Sequence, residues 1–433
     1  MPLSDLPAEL VLDIADQLDD ASMNALACTN SQIYQFLNTY LYRRDVTRLR
    51  SRSMTWAIRD GVEATVQQAL DAGGHLDPIP ESFHIALIDS ASQGDVNTVA
   101  ALLKLDGINP NFRDLWGNTP LYRACLRGRT PVVRQLLARD DIDLNTVLNS
   151  ELTPLLTAIE SRNMEVINLL LSKDGIDVNL RPEKNITPLM KAIQLRLMEV
   201  VESLFARDDL DFNVVDHRGD HLLLHSMGLG LDKVKLILNR SNVDPDFAGD
   251  NGYTALMTAC FMNEFKEDLD TIEFLLDQGI DVNRRDANGT TAFCHAVRSC
   301  HPKVIKLLLD QDNMDPNLPD NHGYTALFYA VGINLPVVDL LLRTEGINVN
   351  ARNIRGSTAL AHACTLPWPG CVDSVRLILS HPDTDPNILD NNGVSALSKV
   401  IELQRTWATN RGTRGLNNYL QRIESLLRAA GAR

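Results

Sequence analysis

One phrase recurs along this chain and constrains its fold more than any other feature. It appears as Thr119-Pro120-Leu121, Thr153-Pro154-Leu155 and Thr187-Pro188-Leu189. It returns as Thr254-Ala255-Leu256, Thr291-Ala292-Phe293, Thr325-Ala326-Leu327, Thr358-Ala359-Leu360 and Ser395-Ala396-Leu397. The steps 119 to 153 to 187 are each 34 residues, and 291 to 325 repeats that value. A unit of this length is one supersecondary element that cannot bury its own apolar face, so copies must stack.

Within a unit, the Thr hydroxyl is placed to cap free amides, and Pro suits the first helical position. Leu121, Ala124, Cys125 and Gly128 are spaced by three, four and seven, which predicts one buried helix face. A second helix carries Val132-Val133 and Leu136-Leu137, and the unit closes on Ile142-Asp143-Leu144-Asn145. Counting from the Thr, positions two, five, six and nine are expected inside. Position four then points almost opposite, with position seven on the same outer side. Asp- and Gly-rich stretches such as Asp244-Pro245-Asp246, Asp250-Asn251-Gly252 and Asp320-Asn321-His322-Gly323 recur in register with the units. They read as tight turns rather than calcium loops, whose ligand spacing they lack.

The T-P-L-x-x-A…V-V-x-x-L-L…D-V-N pattern, closed by Asp177-Val178-Asn179 and Asp281-Val282-Asn283, resembles the ankyrin repeat. The resemblance implies an all-α solenoid of about eleven helix-pair units with short β-hairpin turns, over residues 47–433. The unit near His221-Leu222-Leu223 has drifted, and degenerate units precede Thr119, from Thr55 and from Phe83. Stacking of this kind aligns position four along an inner, concave face: Arg123, Thr157, Lys191, His225, Thr258, His295, Tyr329, His362 and Lys399. No acid occurs in that stripe, although the chain carries a net charge of −15. The expectation is a neutral-to-basic groove for an acidic or polar segment of a target protein, with Tyr329 and Phe261 as anchors. A general preference of helix surfaces for such side chains is the competing explanation. Insertions after Cys260, around Trp368 and from Gln404 to Asn418 lengthen three units, and Trp368 between two prolines is a further candidate anchor.

With 41 Lys and Arg against 56 Asp and Glu, affinity for nucleic acid or anionic membranes is not expected. Seven cysteines contain no C-x-x-C pair, and Cys125, Cys260 and Cys364 share position six, so they read as small core residues in a reducing compartment. Cys294, His295, Cys300 and His301 cluster locally, but adjacent positions on one helix do not converge on a metal. Neither a catalytic motif nor a cofactor motif occurs. Met1–Asp20 is acidic and lacks the apolar stretch of a signal peptide, which points to the cytoplasm, the nucleus or both.

Residues 1–46 stand outside the repeat. Leu6, Pro7, Glu9, Leu10, Ile14 and Leu18 follow an L-P-x-E-L-x-x-x-I-x-x-x-L order, with Leu26-Ala27-Cys28-Thr29 later. This stretch resembles the F-box that precedes ankyrin arrays in fungal proteins. The resemblance implies a three-helix module in which Leu6, Pro7, Glu9, Leu10, Ile14, Leu18 and Leu26 face a Skp-family adaptor of a cullin ubiquitin ligase. The chain would then be a substrate receptor without catalysis of its own. A non-degradative scaffold, whose first helices merely cap the stack, is the alternative.

Overall fold

The computed structural model describes residues 81–148, 152–182, 185–261, 269–366, 370–408 and 414–433. The F-box-like stretch, the unit at Thr55 and Trp368 lie outside the described residues. The chain divides into two compact units, Met1–Leu210 and Asp211–Arg433. The described residues hold ten helix pairs, four in the first unit and six in the second.

In the first unit the pairs are α1 (Glu81–Gln93) with α2 (Val96–Leu102), α3 (Pro120–Leu126) with α4 (Thr130–Leu136), α5 (Pro154–Glu160) with α6 (Met164–Leu171), and α7 (Pro188–Gln194) with α8 (Met198–Phe205). Each repeat phrase starts a helix for the reason its chemistry suggests. The hydroxyls of Thr119, Thr153 and Thr187 accept from the amides of Tyr122, Leu156 and Met190 at 3.2, 3.1 and 3.2 Å. Leu121, Ala124 and Cys125 are buried with Val132, Val133 and Leu136. Position nine does not follow the expected wheel, because each first helix ends at position seven and the 100° step ends with it. Gly128, Arg162 and Arg196 instead adopt left-handed backbone, with φ of 63°, 56° and 58°. Arg162 and Arg196 are exposed.

The second unit contains α9 (Leu222–His225) with α10 (Leu231–Arg240), α11 (Ala255–Phe261) with α12 (Leu269–Asp277), and α13 (Ala292–Arg298) with α14 (Pro302–Leu309). It continues with α15 (Ala326–Ala330) and α16 (Leu335–Leu342), α17 (Ala359–Thr365) and α18 (Cys371–Ser380), then α19 (Ala396–Ala408) and α20 (Arg414–Ala429). In the drifted unit His221 replaces the capping Thr, and its Nδ1 accepts from the Leu223 amide at 3.0 Å. That cap reaches two residues on rather than three, and α9 is only four residues long. Cys260 on α11 and Cys364 on α17 sit in the core, and burial pushes both thiols up to about 12.

The hairpin turns are fingers, four of them in the second unit closed by a single antiparallel bridge: Val215 with His221, Ala248 with Thr254, Arg285 with Thr291 and Arg352 with Thr358. Neighbouring fingers in that unit are tied backbone to backbone. The amides of Asp250, Ala287, Asn321, Ile354 and Asn391 donate to the carbonyls of Arg218, Asn251, Asn288, His322 and Arg355 at 2.8 to 3.0 Å. Gly323 shows why a glycine is needed there. Its φ is +78°, and a Cβ on it would lie 2.7 Å from Asn353 Cα.

A second ladder runs through the closing Asn. The side chain of Asn145 donates to Gly175 O at 2.8 Å and accepts from Asp177 N at 2.9 Å. Asn283, Asn350 and Asn387 make the same two-way bridge to the following repeat. Asp246 occupies this register position without a donor, and Arg284 from the next repeat meets it at 3.0 Å, reaching its carbonyl as well.

Candidate interaction face

In four repeats of the second unit, position four is the partner of an acid in its own repeat. The residue nine positions before it heads the finger, and where that residue is Asp in the second unit, position four bonds to it. His225 Nε2 lies 3.1 Å from Asp216 Oδ2, and His295 Nε2 lies 3.1 Å from Asp286 Oδ2. The Tyr329 hydroxyl donates to Asp320 Oδ2 at 2.5 Å, and Lys399 Nζ lies 2.7 Å from Asp390 Oδ2. The other oxygen of each carboxylate accepts two backbone amides of the finger; in Asp286 these are Asn288 N and Thr290 N, both at 2.8 Å. Position four therefore clamps the first helix onto its finger. In these repeats the absence of an acid at position four has a local cause: an acid there would face another acid across a short, partly desolvated gap.

Burial sorts the expected anchors. His295 and Thr157 are each 1% exposed, so neither offers a side chain to a partner, and the outward placement expected for them is corrected. Pointing away from the apolar stripe turned His295 toward its finger rather than toward solvent. Its ring is covered by Tyr253 at 5.2 Å and by the edge of Phe261 at 5.8 Å. Burial holds its pKa below the ordinary histidine value, with Asp286 pulling the other way. His362 is half-buried between Tyr324 and Phe328, at 5.7 and 5.9 Å, and burial lowers its pKa too. Lys191 is paired with Glu160 at 2.7 Å, and Arg123 is half-buried near Asp89. Burial raises the Asp89 carboxyl and the Arg123 charge partly offsets that.

What remains open to a partner lies on either side of the stripe. Phe261, at position seven, is 51% exposed. Arg298, at position seven of the next repeat, is exposed and stands over the Tyr329 ring at 5.4 Å. The fingertips carry large apolar residues that the repeat has no use for: Leu115 is 87% exposed and Trp116 66% in the first unit, Ile354 62% in the second. Sequence reasoning centred on the helix wheel passed over them. Their signal was present, since Asp114-Leu115-Trp116-Gly117 and Asn353-Ile354-Arg355-Gly356 put apolar side chains inside turns that need only Asx and Gly. Among the described residues no group of three metal-ligating side chains converges, and no helix is long and apolar enough to cross a membrane.

A family model described as ankyrin repeats matches in overlapping windows, 54–147, 83–182, 141–216, 189–286, 222–320, 264–353 and 313–390. Among curated relatives, the neurogenic locus notch homolog protein 1 of Xenopus tropicalis is 33% identical over 167 residues, covering 36% of this chain and 6% of that protein. The neurogenic locus Notch protein of Drosophila melanogaster is 34% identical over 145 residues, covering 30% of this chain and 5% of that one. The chain thus spans only a small fraction of the length of these relatives. A crystal structure described as an ankyrin repeat protein aligns with a TM-score of 0.38 at 26% identity, over 44% of this chain and 97% of its own.

Proposed function

The chain belongs to the ankyrin-repeat family, whose repeats serve protein–protein interaction, and on that premise we propose that it is a substrate-recognition subunit of a Skp–cullin–F-box ubiquitin ligase. The observation that carries the finer reading is the Leu6-Pro7-x-Glu9-Leu10…Ile14…Leu18 order standing directly before the array. In this reading residues 1–46 dock on the adaptor and the array holds the target, while ubiquitin transfer belongs to other subunits. Two features of the array suit a receptor. Its fingers and first helices are clamped by the Asp-to-position-four bonds, so a binding surface loses little conformational entropy when occupied. Its large exposed side chains, Trp116 and Phe261, are of the type that anchors protein interfaces.

The test is co-purification of the full chain with a Skp-family adaptor, compared with a Leu10→Glu, Ile14→Glu variant. Loss of the adaptor with retention of the other partners is the expected result. A wild-type chain that never captures the adaptor refutes the ligase reading and leaves the scaffold reading, in which the same variant keeps every partner and only lowers stability.

A further inference from the structure

The first unit places arginines where its own repeat calls for glycine. Position nine is Gly128 in the repeat of Thr119, with left-handed backbone, and Gly94 holds the equivalent turn before α2. The next two repeats keep the left-handed turn but fill it with Arg162 and Arg196. A side chain with a Cβ is strained at φ of 56° and 58°, and strain at non-glycine positions is a pointer to function when the residue is otherwise idle. Arg162 is idle in this sense: among the described residues it has no hydrogen-bonded or ion-paired side-chain partner, and neither has the exposed Arg127 at position eight of the preceding repeat.

These positions form one edge. Asn163, next to Arg162, donates to Gly128 O at 3.4 Å, which joins the turn carrying Arg127 to the turn carrying Arg162. Arg129 reaches back to Ser92 O at 3.1 Å, and Arg196 extends the row by one repeat. The acids closest to Arg162 along the chain are already occupied, Glu160 by Lys191 at 2.7 Å and Glu165 by Arg134 at 3.5 Å. A cationic row in a chain of net charge −15 is a local reversal of sign.

We propose that the edge formed by Arg127, Arg162 and Arg196 binds an acidic segment of a partner protein. The proposal rests on the protein-binding reading above and names the chemistry of the partner. Guanidinium forks suit carboxylates, and stacked helices stand roughly 8–10 Å apart, so an extended segment advancing about 3.3 Å per residue meets the row with an acid at every third position. The net negative charge of the chain works against nucleic acid and membrane surfaces, whose charge extends well beyond a narrow edge.

Fluorescence anisotropy of the full chain with a labelled 12-residue peptide, Glu at every third position among Ser, tests this. Arg127→Glu with Arg162→Glu should weaken binding at least tenfold, and Arg162→Gly with Arg196→Gly severalfold without lowering Tm, because glycine suits the turn. Lys303→Glu, on an outer helix of the second unit, should leave binding unchanged. Peptide binding that is the same in the glycine variant overturns the proposal. So does binding of phosphatidylserine vesicles or duplex DNA in place of the peptide. Should the chain keep its adaptor and targets while the peptide fails, only this edge is refuted; should it capture no protein partner at all, the functional reading falls with it.

Discussion

Replacing Asp286 measures how much the finger clamp contributes. Its Oδ1 accepts from Asn288 N and Thr290 N, and its Oδ2 faces His295 Nε2; the side chain is fully buried and that of His295 is 1% exposed. Asp286→Ala removes three hydrogen bonds, each contributing about 0.5–1.5 kcal/mol, so the expected loss is about 3 kcal/mol. Asp286→Asn keeps the oxygen that holds the two amides. Its amide group can donate to Nε2 once the imidazole proton moves to Nδ1, an atom that has no hydrogen-bond partner in the native arrangement. Exchanging a charge-assisted bond for a neutral one should cost about 1 kcal/mol. Asn353, which heads the finger before Thr358 and accepts from Arg355 N and Ser357 N at 3.0 Å each, shows that the repeat works with an amide. Urea unfolding of the full chain followed by circular dichroism at pH 7.5 compares the two. The reasoning is refuted if Asn is as damaging as Ala, or if Ala shifts the transition midpoint no more than an exposed control substitution does.

His221 makes helix capping depend on pH. Burial lowers its pKa to about 4, below the ordinary histidine value of 6.5 it has in the unfolded chain, and the neutral Nδ1 is what accepts from Leu223 N. A depressed pKa contributes stability that is present above pH ~6.5 and lost as pH falls toward 4. His221→Thr should therefore flatten the decline in Tm across that window relative to wild type, and an unchanged slope refutes the assignment. Glycine requirements differ in a way that two alanine variants separate. Gly346 has φ of +76° with nothing within 4 Å of a Cβ, so Gly346→Ala should cost about 1 kcal/mol, the price of left-handed backbone alone. Gly323→Ala adds overlap with Asn353 Cα and Ile354 N and should cost well over about 2 kcal/mol by chemical denaturation; equal losses would mean that the fingers separate freely.

The fold was legible because its rule repeats. Thr119, Leu121, Ala124 and Cys125 could be read as cap and core from one unit, and seven further copies of the phrase left little room for another architecture. What escaped was whatever depends on the neighbouring repeat or on the end of a helix. Position nine was misplaced because a wheel assumes that the helix goes on, whereas α5 and α7 end two residues earlier and turn left-handed. The inter-repeat bridges of Asn145 and Asn283 were invisible for a different reason, since D-V-N as a string says nothing about what the amide meets one repeat later. The adaptor-facing residues Leu6 to Leu26 and the Trp368 anchor lie outside the described residues and stand as expectations.

The acid-free stripe shows how composition along a helix face can mislead. Nine side chains without a carboxylate, in a chain of net charge −15, look like a surface held open for an anion. Four of them, however, are bonded to Asp216, Asp286, Asp320 or Asp390 of their own fingers, and Lys191 is bonded to Glu160 of the preceding repeat. Thr157, and His362 between its aromatic neighbours, are held by packing. A cation already paired at 2.7 Å offers a partner little, since a new contact must first replace the old one. Binding capacity is better sought where a side chain has no duty inside its own repeat: Trp116 at a fingertip, Phe261 at the end of its helix, and Arg127 and Arg162 at the turns of the first unit. Trp116, Arg127 and Arg162 make no side-chain bond that holds a repeat together, and Arg162 works against its turn, so partner selection can alter these three without disturbing the stack.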